Sequence, residues 1–423
     1  MRFLHERFRP TTTPLHRVVA HAYQNNAMYR RKFDDAKVAA HDINSNADLA
    51  RLPTTTREEV AGDPWVLLCV PRVNLVQAHM STGTTGKKSV YVAYDWEDLY
   101  DRGLKPLQAD GSATKLLRIE PGEIVFNALP YEVSVTGMAV HRSVQDGLGA
   151  CIVPLGKGGF YSEPRKTLKI MKEIQGDHLF TTPSYAAFLG QLASDMGMTS
   201  REVSPLRALW LIGELCSNAL RRRIEALWGC PAYLYYGSME AGVIGVECGE
   251  QDGYHMATNF TATEVIEKIP KDPASRRSAP GTGEIVVTTL WRYATPLIRY
   301  ETGDLGSWER APCRCGLAGD RLRLAGRFED ALIIAGRVIN VLEIEEGLLA
   351  IPAVDTFFQL RADGTRLTVV LPHDPSKGAV GPIADSIVSW LQQNLQIECR
   401  VETVLRGSYA GGKFLRVLNI LKS

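Results

Sequence analysis

At 423 residues the chain is long for one ordinary domain and short for three, so two domains of unequal size are expected. Hydrophobic residues make up 45% and charged residues 22%, the balance of a folded soluble protein, and a net charge of +1 gives no electrostatic footprint for nucleic acid. No apolar run is long enough to cross a bilayer and Met1-Arg-Phe-Leu-His-Glu-Arg7 lacks a signal-peptide core, so a cytoplasmic location is expected, with the eight cysteines as thiols or metal ligands rather than disulfides.

Residues 12–40 read as helical, with Leu15, Val18, Val19, Ala22 and Tyr23 at helical spacing and Met28, Tyr29 and Phe33 continuing the stripe. In Leu52-Pro-Thr-Thr-Thr-Arg-Glu-Glu59, Thr56 and Glu59 are spaced as a capping box. The next stretch, His79-Met-Ser-Thr-Gly-Thr-Thr-Gly-Lys-Lys88, concentrates hydroxyls, glycines and a lysine between Ser81 and Lys87. Gly83 and Gly86 let the backbone approach a ligand closely, and successive N–H groups in such a turn form an anion-binding concavity. A polyphosphate is the natural guest. Only Thr84 and Thr85 separate the glycines, which excludes a Walker A loop. The same composition also suits a surface Ser/Gly loop, but the strand-like Val90–Tyr94 follows directly and favours a phosphate loop held between strands.

This loop resembles the phosphate-binding signature of the adenylate-forming superfamily of acyl-CoA synthetases, adenylation domains and luciferases. The opening phrases around Met28 and Leu52 are similar to those of its phenylacetate–CoA ligase-like branch. The resemblance implies an α/β fold, with a large multi-sheet N-terminal domain over residues 1–327 and a small mobile α+β domain over 328–423. It also implies ATP, Mg²⁺ and CoA as ligands, with Ser81, Thr82, Gly83, Thr84, Thr85, Gly86 and Lys87 on the phosphates.

Beyond the loop, strands and helices alternate. Glu123–Ala128 and Ala150–Pro154 read as strands flanking Pro130–Met138 and a helix-like stretch to Leu148. By resemblance Tyr131, Thr136 and Gly137 shape the acyl pocket, although an ordinary core tyrosine also explains Tyr131. His178–Tyr185 ends a strand and caps a helix, and Leu206–Glu214 is an apolar strand that ends at Gly213. Ligands of open α/β sheets collect at such carboxyl ends, which makes Gly213 and Glu214 candidates for the nucleotide and Gly213 also for the acid. In Ala232–Gly242 a strand runs through Tyr235, Tyr236, Gly237 and Ser238 to the carboxylate of Glu240. Aromatic rings can sandwich a purine and a carboxylate can hold Mg²⁺ beside phosphates. The resemblance gives Glu240 that catalytic metal role; a solvated glutamate at a strand-edge turn is the bland alternative. Gly283–Leu290 is a strand, and Pro296–Asp304 reads as an apolar strand followed by a Thr-Gly-Asp turn with Asp304 at its tip. A carboxylate is suited to a diol, and the resemblance assigns Asp304 to the AMP ribose, with Arg327 in the same nucleotide site.

Cys248, His255, Cys313 and Cys315 form a candidate structural zinc set of three thiolates and one imidazole. Gly326-Arg327 followed by Glu329-Asp330 resembles the superfamily's interdomain hinge, and Gly336–Asn340 with Glu343–Glu345 resembles the start of its small domain, although Arg337-Val338 departs from the usual pair there. Two strands, Phe357–Leu360 and Leu367–Leu371, meet at the turn Ala362-Asp-Gly-Thr365; an amphipathic helix runs through Ile383, Ile387, Leu391 and Leu395, and Cys399–Leu405 is a last strand. Lys413 lies on a glycine-rich loop where the family carries its catalytic lysine, without the usual Pro-Arg-Ser before it.

These residues describe an AMP-forming acid ligase that activates a small, by resemblance aromatic, carboxylic acid. Lys413, Glu240 and Lys87 would be its catalytic groups and CoA its acyl acceptor. A close alternative passes the acyl group to an amine or to the phosphopantetheine of a carrier protein. A non-catalytic nucleotide-binding relative is opposed by Glu240, Asp304 and Lys413, and a zinc-dependent nucleic-acid binder by the net charge. No membrane partner is expected, and a homodimer is admitted.

Overall fold

The computed structural model describes residues 13–81, 88–104, 116–158, 161–267, 282–373, 379–405 and 416–417. The expected helical opening divides at Asn26, whose extended backbone separates helices α1 (Pro14–Asn25) and α2 (Ala27–Asp35). Asn26 caps α2 by accepting from Tyr29 N and donates to the Val66 carbonyl at 2.8 Å, so the break is built into the packing. Short helices α3 (Asn46–Leu49) and α4 (Arg57–Val60) follow, the latter with the capping box read from Thr56 and Glu59. The remaining helices are α5 (Thr136–Arg142), α6 (Pro164–Ile174), α7 (Pro183–Asp195), α8 (Ser200–Val203), α9 (Asn218–Trp228), α10 (Val341–Leu349) and α11 (Gly381–Leu395).

A first ribbon pairs β1 (Gln77–Met80) with β2 (Tyr91–Tyr94). The body of the molecule is a sheet built from β3 (Ile124–Asn127), β4 (Cys151–Pro154), β5 (His178–Thr181), β6 (Ala208–Ile212), β7 (Ala232–Ser238), β8 (Gly242–Glu247), β9 (Tyr254–Met256), β10 (Thr261–Ile266), β11 (Gly283–Thr289), β12 (Tyr300–Glu309) and β13 (Arg321–Arg327). Its order is β10-β11-β12-β13-β9-β8-β7-β6-β5-β3-β4. Pairings from β4 to β7 are parallel and those from β7 to β10 antiparallel, so strand polarity changes at the β7–β8 hairpin.

The parallel strands are apolar on both faces, as burial under helices on each side requires. Leu179, Leu209 and Leu211 enter the core formed with α6, α7 and α9, while Phe180, Trp210 and Ile212 point into a second core on the opposite face. The N-terminal helices place Val18, Val19, Tyr29 and Phe33 against Ile285, Val287 and Ile298 of the antiparallel half. Among the described residues no helix is long and apolar enough to cross a membrane.

One expected strand is absent. Residues 296–299 are irregular, and Thr302-Gly303-Asp304 lies inside β12 rather than at a turn tip. The apolar segment is held by side chains instead of a ladder: Tyr29 Oη donates to the Pro296 carbonyl and accepts from Ile298 N, each at 3.1 Å, and Arg299 takes a left-handed φ of 49°. Gly303, at φ 75°, lets β12 continue past Asp304, and the register shifts just beyond, between Leu305 and Gly306.

After β13 the chain leaves the large sheet. A turn at Phe328–Asp330 leads to the hairpin of β14 (Leu332–Ile334) and β15 (Arg337–Ile339), then α10 and a three-stranded sheet of β16 (Gln359–Ala362), β17 (Leu367–His373) and β18 (Cys399–Leu405). The α/β fold class expected from sequence is the one observed. The C-terminal elements pack α10 on α9, and Ile344 and Leu348 belong to the same apolar core as Leu220 and Ile224.

Within this part Gly347 lies directly under Trp390 of α11; an added Cβ would sit 1.8 Å from ring atom Cζ2. Alanine gains about 1 kcal/mol in helix propensity, but the overlap forces α10 and α11 apart, so Gly347→Ala should be destabilising by about 1–2 kcal/mol net. A lowered urea midpoint is the expected reading. An unchanged or raised midpoint would show that the ring moves aside freely.

Candidate active site

The β7–β8 hairpin carries Glu240 on the tight connection between Ser238 and Gly242. Its geometry is set locally. Ser238 Oγ accepts from Ala241 N at 3.0 Å, Gly242 has a φ of 80°, and an added Cβ on Gly237 would meet the Gly242 carbonyl at 2.6 Å. The turn is pinned from below by Arg292, a fully buried guanidinium that donates to the Glu240 carbonyl and, at 2.8 Å, to that of Thr295. The Glu240 side chain is not solvated. Only 8% of the residue is exposed, and its carboxylate accepts from Arg57 Nη1 at 3.1 Å.

Arg57 reaches this point because residues 54–56 are fastened to the start of β12. Thr55 N donates to Arg299 O at 2.8 Å, Glu301 N donates to Thr55 O at 2.9 Å, and Thr54 Oγ1 donates to Glu301 Oε1 at 2.6 Å. The second arm of the guanidinium, Nη2, donates to Ser81 Oγ and to the Lys88 carbonyl, each at 3.2 Å. Ser81 and Val90 are bonded twice, Ser81 N to Val90 O at 2.8 Å and Val90 N to Ser81 Oγ at 2.9 Å, which ties together the two ends of the glycine-rich stretch. Thr82, Gly83, Thr84, Thr85, Gly86 and Lys87 themselves lie outside the described residues, as does Lys413.

Ser81, Arg57 and Glu240 open onto a cavity of about 750 Å³. Gly213, Glu214, Tyr235, Gly237, Ser238 and Arg327 also line it, so among the described residues most of the nucleotide candidates expected from sequence meet there. Gly213, at φ 85°, has nothing within 4 Å of where a Cβ would stand, leaving its backbone open to close approach. Glu214 is held by Lys157 Nζ at 3.0 Å and by Ser184 N, at the start of α7, also at 3.0 Å. Away from this polar end the walls are apolar, with Leu117, Leu129, Val140, Val144, Phe180 and Val243 among them.

Four expected residues, Tyr236, Asp304, Tyr131 and Gly137, stand behind the wall rather than in it. Tyr236 is buried and donates to Asp304 Oδ2 at 2.9 Å, so its hydroxyl is committed to that carboxylate. Burial, together with the negative charge of Asp304, pushes its phenol well above the ordinary range. Asp304 Oδ1 accepts from Arg327 Nε at 2.7 Å across the β12–β13 ladder, and it is Arg327 of this pair that reaches the cavity. Tyr131 bonds Asn127 Nδ2 at 2.7 Å and pairs with His141 Nδ1 at 3.1 Å; burial raises it to about 12. Gly137 is required because an added Cβ would lie 2.3 Å from the Pro130 carbonyl, while Thr136 does line the cavity. At the expected hinge, Asp330 ends the Phe328–Asp330 turn beside Arg327; the Glu329 side chain lies outside the described residues.

The four metal candidates converge. Cys248 follows β8, His255 lies on β9, and Cys313 and Cys315 come from the β12–β13 connection, with their ligand atoms all within 4.8 Å of one another. The Cys248 and Cys313 sulfurs are 3.6 Å apart and Cys315 Sγ is 3.3 Å from His255 Nε2. Backbone N–H groups of Glu250 and Leu317 donate to Cys248 and Cys315, each at 3.4 Å, and burial keeps the His255 imidazole below its usual pKa.

Sequence reasoning missed Arg57, Lys157, Glu284 and Arg292. Arg57 stood in a recognised phrase, but only as part of a helix cap, and nothing local connects it with Glu240, 183 residues away. Glu284 lines the cavity and accepts from Gly303 N at 3.3 Å.

The fold is that of the adenylate-forming ligases. A crystal structure of 2-hydroxyisobutyryl-CoA ligase in its postadenylation state superposes with a TM-score of 0.84 at 22% identity, covering 97% of this chain and 88% of that one. No family model matches. The phenylacetate–coenzyme A ligase of Thermus thermophilus is 31% identical over 384 residues, 89% of this chain and 83% of the relative; that of Escherichia coli is 30% identical over 354 residues, 81% and 76%. The chain belongs to the phenylacetate–coenzyme A ligase family.

The Tyr236–Asp304 bond is buried behind the cavity wall, so its loss should act on stability. Tyr236→Phe leaves a buried carboxylate oxygen short of a donor and should lower stability by about 1–3 kcal/mol. Urea denaturation measures this; a midpoint equal to the parent chain's would mean that the oxygen finds another donor.

Proposed function

We propose that this protein is an ATP-dependent, AMP-forming ligase that activates an aromatic carboxylic acid as its adenylate and then transfers the acyl group to coenzyme A. The observation that carries this reading is one cavity with two ends. At one end a buried carboxylate, Glu240, faces the tied ends of the glycine-rich stretch; at the other the walls are apolar and take an uncharged acyl body. The relatives named for phenylacetate support the acid class and the acceptor.

In the first half-reaction a carboxylate oxygen of the acid attacks the α-phosphorus. The Pα–O bond to the β-phosphate breaks, and pyrophosphate leaves. Charge crowding dominates this barrier, so positioned cations and donors do most of the work. Ser81 to Lys87 would hold the phosphates, Glu240 would hold Mg²⁺, which would supply positive charge beside them, Gly213, Glu214 and Tyr235 would border the nucleotide, and Lys413 would bridge acid and α-phosphate. Arg327, the member of the Asp304–Arg327 pair in contact with the cavity, is assigned to the ribose end, with Asp304 holding it from behind the wall. In the second half-reaction the CoA thiolate attacks the acyl carbon and AMP departs.

We assign residues 1–327 to the large domain and 328–423 to a small domain that turns at Glu329–Asp330 between half-reactions. The separate sheets after β13 support this division. The four-ligand cluster is assigned to structural Zn²⁺. A tetrahedral ion with sulfur ligands at about 2.3 Å places them about 3.8 Å apart, close to the spacing already present, and N–H donors to sulfur favour thiolates. Four protein ligands leave no open position, so the ion would staple β8, β9 and the β12–β13 connection without entering the chemistry.

Acid-dependent ATP–pyrophosphate exchange across a panel of aryl and alkyl acids tests the ligase reading. Aryl acids should lead the panel, and release of AMP should then depend on CoA. A preference for long-chain fatty acids would sink the acid assignment, and dependence on an amine or carrier protein would replace CoA. Glu240→Gln should keep the fold and lower exchange by about 10²- to 10³-fold; near-normal exchange would move the metal role elsewhere. For zinc, elemental analysis should find about one ion per chain and a chelator should lower the melting temperature. A metal-free preparation of unchanged stability would remove that assignment.

A further inference from the structure

The apolar end of the cavity holds hydroxyls that the chain itself leaves unanswered. Successive residues on a strand point to opposite faces, so Tyr236 turns toward Asp304 while Tyr235 turns the other way. There the Tyr235 ring packs with the core of Val140, Val144, Phe180 and Ile212 and lines the cavity. Burial alone pushes its phenol above the ordinary range, and its hydroxyl has no hydrogen-bond partner among the described residues. The helix that walls the same end adds a second such group. α5 and the wider turn that continues it, Ser143–Leu148, present one face to the cavity through Thr136, Ala139, Val140, Ser143 and Val144. Thr136 is bonded to Ser134 at 3.0 Å, and the polar side chains beside this face are paired with one another, Tyr131 with Asn127 at 2.7 Å and His141 with Gln145 at 2.9 Å. Ser143 Oγ has no partner among the described residues.

We propose that the acid taken by this cavity carries a hydroxyl on its aromatic ring, and that Tyr235 Oη receives it, with Ser143 Oγ as the second hydroxyl of the same wall. This deepens the ligase reading above and rests on it. A wall made only of apolar side chains suits a bare ring. A bare ring seated here strips water from the Tyr235 hydroxyl and returns no bond, which is unfavourable. A ring hydroxyl both donates and accepts, so it can pair with Tyr235 in either direction. Sites built to hydrogen-bond a substrate group reject the analogue that lacks it far more strongly than apolar pockets sort ligands by size. A charged substituent is a poorer match, because the one lysine on the cavity wall, Lys157, is already neutralised by Glu214 at 3.0 Å. Tyr235 makes and breaks no covalent bond in this role; it selects and orients the ring, and the carboxylate of the acid reacts as before.

The test measures acid-dependent ATP–pyrophosphate exchange on the full chain with phenylacetates and benzoates, each bare or bearing one hydroxyl or one methyl at the ortho, meta or para position. Hydroxyl and methyl are close in size, so their ratio of kcat/KM at one position reads the hydrogen bond and cancels any general loss of activity. At the best position the hydroxylated acid should lead its methyl counterpart by about 10-fold or more. Tyr235→Phe should bring that ratio to within about twofold of one or invert it, and Ser143→Ala should lower it by a smaller factor. Because the Tyr235 hydroxyl has no partner in the chain, Tyr235→Phe should leave the urea midpoint in place, unlike Tyr236→Phe. A bare or methylated acid that leads at every position overturns the proposal, and so does a ratio that Tyr235→Phe does not change. Should Tyr235→Phe fail to fold, its hydroxyl has a structural task after all and the proposal falls with it. If aryl acids support exchange without a hydroxyl preference, only this proposal fails; if no acid supports exchange, it is the ligase reading that fails.

Discussion

A carboxylate at the tip of a hairpin, 8% exposed, must be neutralised, and much of the large sheet is arranged around that requirement at Glu240. Leaving such a charge buried and unpaired costs several kcal/mol, enough to unfold many domains. The hairpin cannot supply its own cation. Arg57 is brought from the N-terminal region by a segment fastened to β12, and Arg292 fixes the backbone of the turn from the strand-β11 side. Three stretches far apart in sequence therefore meet only when the tertiary structure is complete. The site is a consequence of folding rather than a feature of one motif.

The position of the cavity follows from strand polarity. β3, β5, β6 and β7 run parallel, so their carboxyl ends share one edge, and the loops that leave them bring Gly213, Glu214 and the start of α7 together. At β7 the sheet turns antiparallel, and the hairpin that makes the change sets Glu240 beside that edge. A change of strand order or direction leaves a crevice that neighbouring loops do not fill, which is where open sheets bind ligands. The cysteine and histidine cluster lies on the antiparallel side, where its four side chains meet from β9, the end of β8 and the connection between β12 and β13. Asp304 and Arg327 face each other across the ladder of those two strands, and Asp304 accepts from Tyr236 on β7.

What could be read from sequence was what neighbouring residues decide among themselves. The capping box of Thr56 and Glu59 spans four positions, so its geometry needs no other part of the chain. The same holds for Thr182 capping α7, for the strand that ends at Gly213, and for the hairpin turn between β16 and β17. Thr302-Gly303-Asp304 was misread because a glycine with positive φ marks a turn in most contexts, whereas here it accommodates an irregular strand. Nor does sequence spacing reveal Lys157 on Glu214 or Arg57 on Glu240, since an ion pair across 57 or 183 residues leaves no periodic trace. The cysteine and histidine set was legible because its chemistry is unusual even when its members are far apart.

The contact between the two parts of the chain sets the terms on which they could move. The amino end of α9 is closed by carboxylates from α10: Ser217 N donates to Glu345 at 3.0 Å and Ala219 N to Glu346 at 2.7 Å. Arg223 on the same helix donates to the Leu349, Ile351 and Val354 carbonyls. Carboxylates at a helix amino terminus contribute about 0.3–1 kcal/mol each, and in water their partners are readily replaced. Apolar surface has no such replacement. Ile344 and Leu348 share a core with Leu220 and Ile224, and exposing a buried side chain of that kind costs about 1.5–3 kcal/mol. A rotation of the C-terminal part must therefore find another apolar surface for α10 before it leaves α9. The turn at Phe328–Asp330 contributes nothing toward separating the two helices, so the apolar contact of α10 with α9 sets the cost of any such rotation.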